Sequence, residues 1–122
     1  MNFKMHDIQI IFKNKEILFY LDNKAVGQTP YSCEIFQDKA KLNKENFDEL
    51  YAVLQKEIKK VTKGFIFRPT LSMDVTYIDS NYFLEIHQQF FTELGLCLPV
   101  KNVELLDDNN LYSEQKIGSE QK

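Results

Sequence analysis

The chain has 122 residues, 43% of them apolar with ten Phe and six Tyr, and a chain of this size buries roughly two thirds of the surface its unfolded form exposes, so one packed core is expected. Fifteen basic residues against eighteen acidic ones leave a net charge of −3. Arg68 is the only arginine, which excludes the basic, Arg-bearing surface that tracks nucleic-acid phosphates.

Lys56, Lys59, Lys60 and Lys63 are the nearest approach to a basic patch, and they read as the solvated end of a helix whose dipole they oppose. No run approaches the roughly 18 to 20 apolar residues of a membrane span, and the first residues do not form a signal peptide. A cytoplasmic location follows as an expectation. Cys33 and Cys97 lie far apart with no C-x-x-C spacing, so they read as reduced thiols and not as a zinc or redox pair.

In chain order, residues 7–22 predict a β-hairpin: Ile8, Ile10 and Phe12 alternate, Lys13-Asn14-Lys15 supplies a polar turn, and a second apolar run follows. Gly27-Gln28-Thr29-Pro30 reads as a break in the pattern, and a short strand is expected around Cys33 to Phe36. The first helix is expected from Asn46, with Glu49 three residues on imitating a capping box. Its apolar stripe is Phe47, Leu50, Tyr51, Leu54, Ile58 and Val61, and Gly64 closes it.

Residues 65–67 and 70–78 predict extended chain, with Leu71, Met73, Val75 and Tyr77 facing inward and Thr70, Ser72, Asp74 and Thr76 facing outward. A second helix is expected from a cap at Asp79 or Ser80. Phe83, Ile86, Phe90 and Leu94 form its apolar face, and Gly95 is its terminator. Residues 100–106 predict a last strand. The domain is expected over residues 1–108, with 109–122 a polar tail carrying the four residues Ser-Glu-Gln-Lys twice.

The two histidines, His6 and His87, lie in no metal-ligand pattern, and His87 reads as a boundary or surface residue. Asp107-Asp108 and Asp74 with Asp79 are carboxylate pairs of a kind that binds magnesium, but their plainer reading is a cap, an exposed strand position and the start of the tail. The four glycines form neither phosphate-cradling motif. No catalytic residue, cofactor or metal is therefore assigned.

Taken together, these landmarks resemble bacterial actin of the MreB type, within the actin and Hsp70 superfamily. Gly27-Gln28-Thr29-Pro30 resembles the family's G-[KR]-T-P turn, and Arg68-Pro69 its basic residue and proline before a strand. Val75-Thr76-Tyr77-Ile78-Asp79-Ser80 stands where the family has V-P-x-G-I-T, without the Pro or Gly. Glu93-Leu94-Gly95 is similar to E-A-G, and Leu105-Leu106-Asp107-Asp108-Asn109 to L-I-E-E-P. The family's phosphate loops, D-x-G-T and D-x-G-G-G-T, are missing. The resemblance thus implies part of an actin-like, RNase H-like subdomain without its ATP site.

The fold expected is α/β or α+β: an amino-terminal hairpin, then helix, strand, helix and strand, with both helices on one sheet face in an open two-layer sandwich. The function expected is a non-enzymatic protein-interaction domain, a truncated actin-like protein acting on a filament, cell-shape or morphogenesis component. A small phage or bacterial inhibitor or immunity-type protein is the first alternative. A minor enzyme using the polar strand face with Asp107 and Asp108 is the second. The partner is expected to be another protein, with self-association into a homo-oligomer left open. Thr70, Ser72, Asp74 and Thr76 are the expected partner-binding residues.

Overall fold

The computed structural model describes residues 5–78 and 85–107. The expected cap at Asp79 or Ser80, Phe83, Asp108 and the expected tail lie outside the described residues.

Alternating apolar side chains build the expected hairpin, β1 (Asp7–Phe12) and β2 (Glu16–Leu21). Lys13 N–H donates to the Glu16 carbonyl at 2.9 Å and closes the turn between them. The chain then turns through Asp22 and Asn23, both at positive φ, a geometry these short polar residues tolerate better than most. It continues as β3 (Lys24–Pro30). This strand corrects the reading of Gly27 to Pro30 as a break. β3 lies at the sheet edge, where a terminal Pro removes no ladder bond, and a bulge opposite Phe19 and Tyr20 accommodates the irregular pairing.

Cys33–Gln37 is a short 3-10 helix and not the expected strand. It is anchored to the hairpin, because Cys33 and Glu34 N–H groups both donate to the Asn14 carbonyl. Helix α1 spans Lys44–Val61, and its cap is Asn43, whose side chain accepts from Asn46 N–H at 2.9 Å. The helix therefore starts earlier than the capping pattern suggested. Leu50, Leu54 and Ile58 are buried on its inner stripe, and Gly64 takes φ 88° just beyond its end, as expected of a closing glycine.

Strand β4 covers Thr70–Asp74, shorter than expected. Residues 65–67 join no strand. Helix α2 (Glu85–Leu96) leads to β5 (Val103–Leu106). The strand order is β3-β2-β1-β4-β5, antiparallel over the first three strands and parallel from β1 to β4 and from β4 to β5. Each parallel step needs a crossover, supplied by α1 and then by α2.

Both helices lie on one face of the sheet, as expected. Phe12 and Phe91 rings meet at 5.2 Å between centroids, Gly27 lies under Glu57 of α1, and Gly95 of α2 sits directly against Met73 and Val103. Gly95 is thus a close-packing glycine within the last turn, which corrects its reading as a terminator. The inner stripe of α2 is His87, Phe90, Phe91 and Leu94, while Ile86 is 45% exposed, outside the expected face. An aromatic knot ties the linker to this helix: Phe36 packs edge-on against Phe91 and tilted against Phe90, with centroids 5.4 and 5.3 Å apart.

His87 is 1% exposed, which corrects its surface reading, and its Nε2 lies 2.7 Å from the Phe36 carbonyl oxygen. A carbonyl only accepts, so Nε2 carries the proton in this bond. Burial holds its pKa below the ordinary histidine value, opposed by that backbone hydrogen bond.

Candidate functional site

Strand alternation leaves a second sheet face that the described helices do not cover. In the register, Gln9 of β1 lies between Tyr20 of β2 and Ser72 of β4, and Ser72 is opposite Glu104 of β5. That is a polar row across four strands. Two residues further along, Ile11 lies between Leu18 and Asp74, and Asp74 is opposite Leu106. This second row is mostly apolar. Gln9, Ile11, Leu18, Tyr20, Ser72, Asp74 and Leu106 are half-buried, and Glu104 is exposed.

At the amino-terminal end of the parallel strands this face holds a depression of about 700 Å³, whose lining includes Asp7, Gln9, Asn23, Ser72, Asn102 and Glu104. The lining has two carboxylates and no basic side chain. Its rim is held by hydrogen bonds. The Thr70 hydroxyl donates to the Asp7 carboxylate, and Asp7 N–H donates to Asp22 Oδ1 at 2.9 Å. The other Asp22 oxygen is 2.6 Å from Nδ1 of His6, whose ring stacks on Phe65 with 4.3 Å between centroids.

Three of the four residues expected to bind a partner, Thr70, Ser72 and Asp74, lie on β4 with their side chains toward this face. Thr76 lies past the strand end, where its N–H and hydroxyl both donate to Asp74 Oδ1, at 2.9 and 2.6 Å. It belongs to a local turn. Tyr77 was expected in the core, but it is 51% exposed, with Lys13 Nζ 5.1 Å from its ring centroid. Val75 is buried as expected, and Ile78 is buried in place of Tyr77.

Of the two carboxylate pairs only Asp74 and Asp107 lie among the described residues, and these two do not come together. Asp74 is opposite Leu106, so Asp107 falls on the other side of the sheet, where it is buried and accepts from Gln88 Nε2 of α2 at 3.3 Å. Among the described residues, no group of three His, Cys, Asp or Glu side chains is placed to hold a metal ion. Among the same residues, no helix is long and apolar enough to cross a membrane.

The lining residues Gln9, Asn23, Asn102 and Glu104 went unrecognised in the sequence. Each comes from a different stretch of chain than β4, and the available signal was the outward position of Gln9 and Glu104 in their own alternating strands.

No family model and no curated protein matches this chain. Two solved structures from Aquifex aeolicus share its fold. One is a Ppx/GppA family member, with a TM-score of 0.54, 13% identity and 85% of this chain covered. The other is the type II variant of the Ppx/GppA phosphatase, with a TM-score of 0.50, 12% identity and 86% covered. The chain spans about a third of their length, 35% and 36%. At the level of the fold, these neighbours support the actin-like part of the expected resemblance and not its MreB-type part. The expectation of a non-enzymatic chain is corrected by the same finding, since the neighbouring structures are phosphatases. The likeness extends to the fold: the described residues form a five-stranded open sheet consistent with part of an actin-like domain.

Proposed function

We propose that this chain is a protein-docking domain of actin-like fold, and that the sheet face the described helices leave uncovered receives the partner. The polar row beside the apolar row on that face is the observation that carries the reading. A merely wet face has no need of Leu18 and Ile11 side by side, with Leu106 beyond Asp74 in the same row, whereas a protein interface combines apolar contact with hydrogen bonding. The resemblance of the sequence to MreB-type actins makes a filament, cell-shape or morphogenesis component the partner class. The test pairs Ser72→Arg with Asp74→Ala and compares this variant with wild type for thermal stability and for the proteins it retains from native lysate. Loss of particular partners with an unchanged melt supports the reading; retention of the same partners overturns it.

The fold match favours a second reading, in which the chain contributes to phosphate-ester hydrolysis. Ligands of open α/β sheets gather outside the carboxyl ends of the parallel strands, and Asp107, just after β5, is the buried acid there. Phosphate release from p-nitrophenyl phosphate, lost in Asp107→Asn with the fold intact, is the outcome this reading requires. An inactive wild-type chain refutes it.

A further inference from the structure

We propose that the depression on the sheet face is a socket for a basic, extended polypeptide segment with a lysine or arginine two positions from an apolar residue. This rests on the docking reading and names the chemistry of the partner. The charge argument comes from the lining. Asp7 and Glu104 supply two carboxylates, and Gln9, Asn23, Ser72 and Asn102 supply acceptor oxygens, with no basic side chain among them. A lysine ammonium offers three donors and no acceptor, and a guanidinium offers five. Such a surface therefore satisfies a cation and repels a carboxylate.

Among the described residues, no lysine belongs to this lining, and Lys24 and Lys101 are the ones next to it in sequence. Lys56, Lys59, Lys60 and Lys63 are exposed on and just after α1, on the layer opposite this face. The sheet face adds Glu16 and Asp74 to the two carboxylates of the depression, with Lys13 at the far end beside Tyr77. The helix layer also carries Glu45, Asp48, Glu49, Glu57, Glu85 and Glu93 and is mixed in charge, whereas the lining of the depression is acidic or neutral with no base.

The spacing argument comes from the register. The Gln9-Ser72-Glu104 row and the Ile11-Asp74-Leu106 row are separated by two residues along the strands, about 7 Å at a rise of ~3.3 Å per residue. A partner segment running along the strands in extended conformation repeats its own side chains at the same interval. A lysine over Gln9 in the polar row then puts the next inward residue over Ile11, whose neighbour on β2 is Leu18, where an apolar side chain fits.

The probe is a fluorescent peptide repeating Lys-Ser-Val-Ser, compared by anisotropy with one that has Glu in place of Lys and one that has Ser. Saturable binding of the Lys peptide alone is expected. It should weaken as salt is raised, because the pairs are solvent-accessible. Asp7→Asn with Glu104→Gln should weaken it roughly tenfold, the order expected for two accessible charge pairs, while the melting temperature stays that of wild type. Glu104→Gln alone, at an exposed position, keeps the test valid if the double variant unfolds, and should also weaken binding.

Equal binding of the three peptides, or binding unchanged by Glu104→Gln, overturns the basic-segment proposal. So does a salt-sensitive dimer in sedimentation that the charge variants abolish, since the occupant is then a second copy of this chain. In each case the docking reading still stands if Ser72→Arg with Asp74→Ala loses its partners. If that variant keeps them, the docking reading itself fails.

Discussion

Replacing Gly95 by Ala tests the packing of α2 on the sheet. A Cβ added there falls 2.7 Å from Val103 Cγ1 and 2.9 Å from Met73 Sδ, against ordinary carbon contacts near 3.5 to 4.0 Å. Met73 has a flexible chain and can retreat. Val103 is β-branched and held on its strand, so the helix must lift or the valine must leave its rotamer. Overpacking of this kind costs about 1 to 3 kcal/mol, and the better helix propensity of Ala offsets at most about 1 kcal/mol of it. A net loss of about 1 to 2 kcal/mol is expected. For a chain of this length that lowers the melting temperature by roughly 4 to 8 °C, read by circular dichroism. The clash names its own rescue. Gly95→Ala combined with Val103→Ala should be more stable than the sum of the single effects, with coupling on the order of 1 kcal/mol. A Gly95→Ala variant that melts at or above the wild-type temperature, or strict additivity with Val103→Ala, refutes the close-approach argument.

Met73→Ala should cost about 2 to 4 kcal/mol in urea unfolding, because the side chain is fully buried, whereas Ser72→Arg on the opposite side of the same strand should stay within about 0.5 kcal/mol. His87 has a lowered folded pKa, so the unfolded chain binds its proton first as pH falls. Its contribution is full above the unfolded value near about 6.5 and is lost as pH drops through the lower folded value. His87→Gln should therefore flatten the fall in stability below about pH 6.5 relative to wild type; an unchanged slope refutes this. Burial pushes the Cys33 thiol up to about 12, and Cys97 is exposed. Native protein should accordingly react at Cys97 alone with a thiol reagent at neutral pH, with Cys33 following only in denaturant, and fast labelling that survives Cys97→Ser contradicts the burial of Cys33.

The candidate site was legible strand by strand and not as a surface. Thr70, Ser72 and Asp74 stand out because β4 alternates cleanly, but Glu104 joins them only through the pairing of β4 with β5, and Gln9 only through that of β1 with β4. The strand β3 was missed because Gly27 and Pro30 weaken any local strand pattern. Its position at the edge of the described sheet, bonded to β2 alone among the described strands, makes both tolerable. His87 went unrecognised as a core residue because a histidine is buried only when its ring N–H meets an acceptor. Its acceptor, the Phe36 carbonyl, lies 51 positions away.

Local physics alone determined the hairpin, the extent of the α1 stripe, the closing role of Gly64 and the two-sidedness of β4. Each depends on contacts within a few residues, through side-chain periodicity, a capping amide or the freedom of a glycine at positive φ. The strand order was decided only in three dimensions, since β1 has β2 on one side and β4 on the other and no local feature of β1 names its distant parallel neighbour. The same step decided the site. A sheet buries the face on which its crossover helices land, so the placement of both helices over Ile10, Met73 and Leu105 left Gln9, Ser72 and Glu104 together on the face they do not cover.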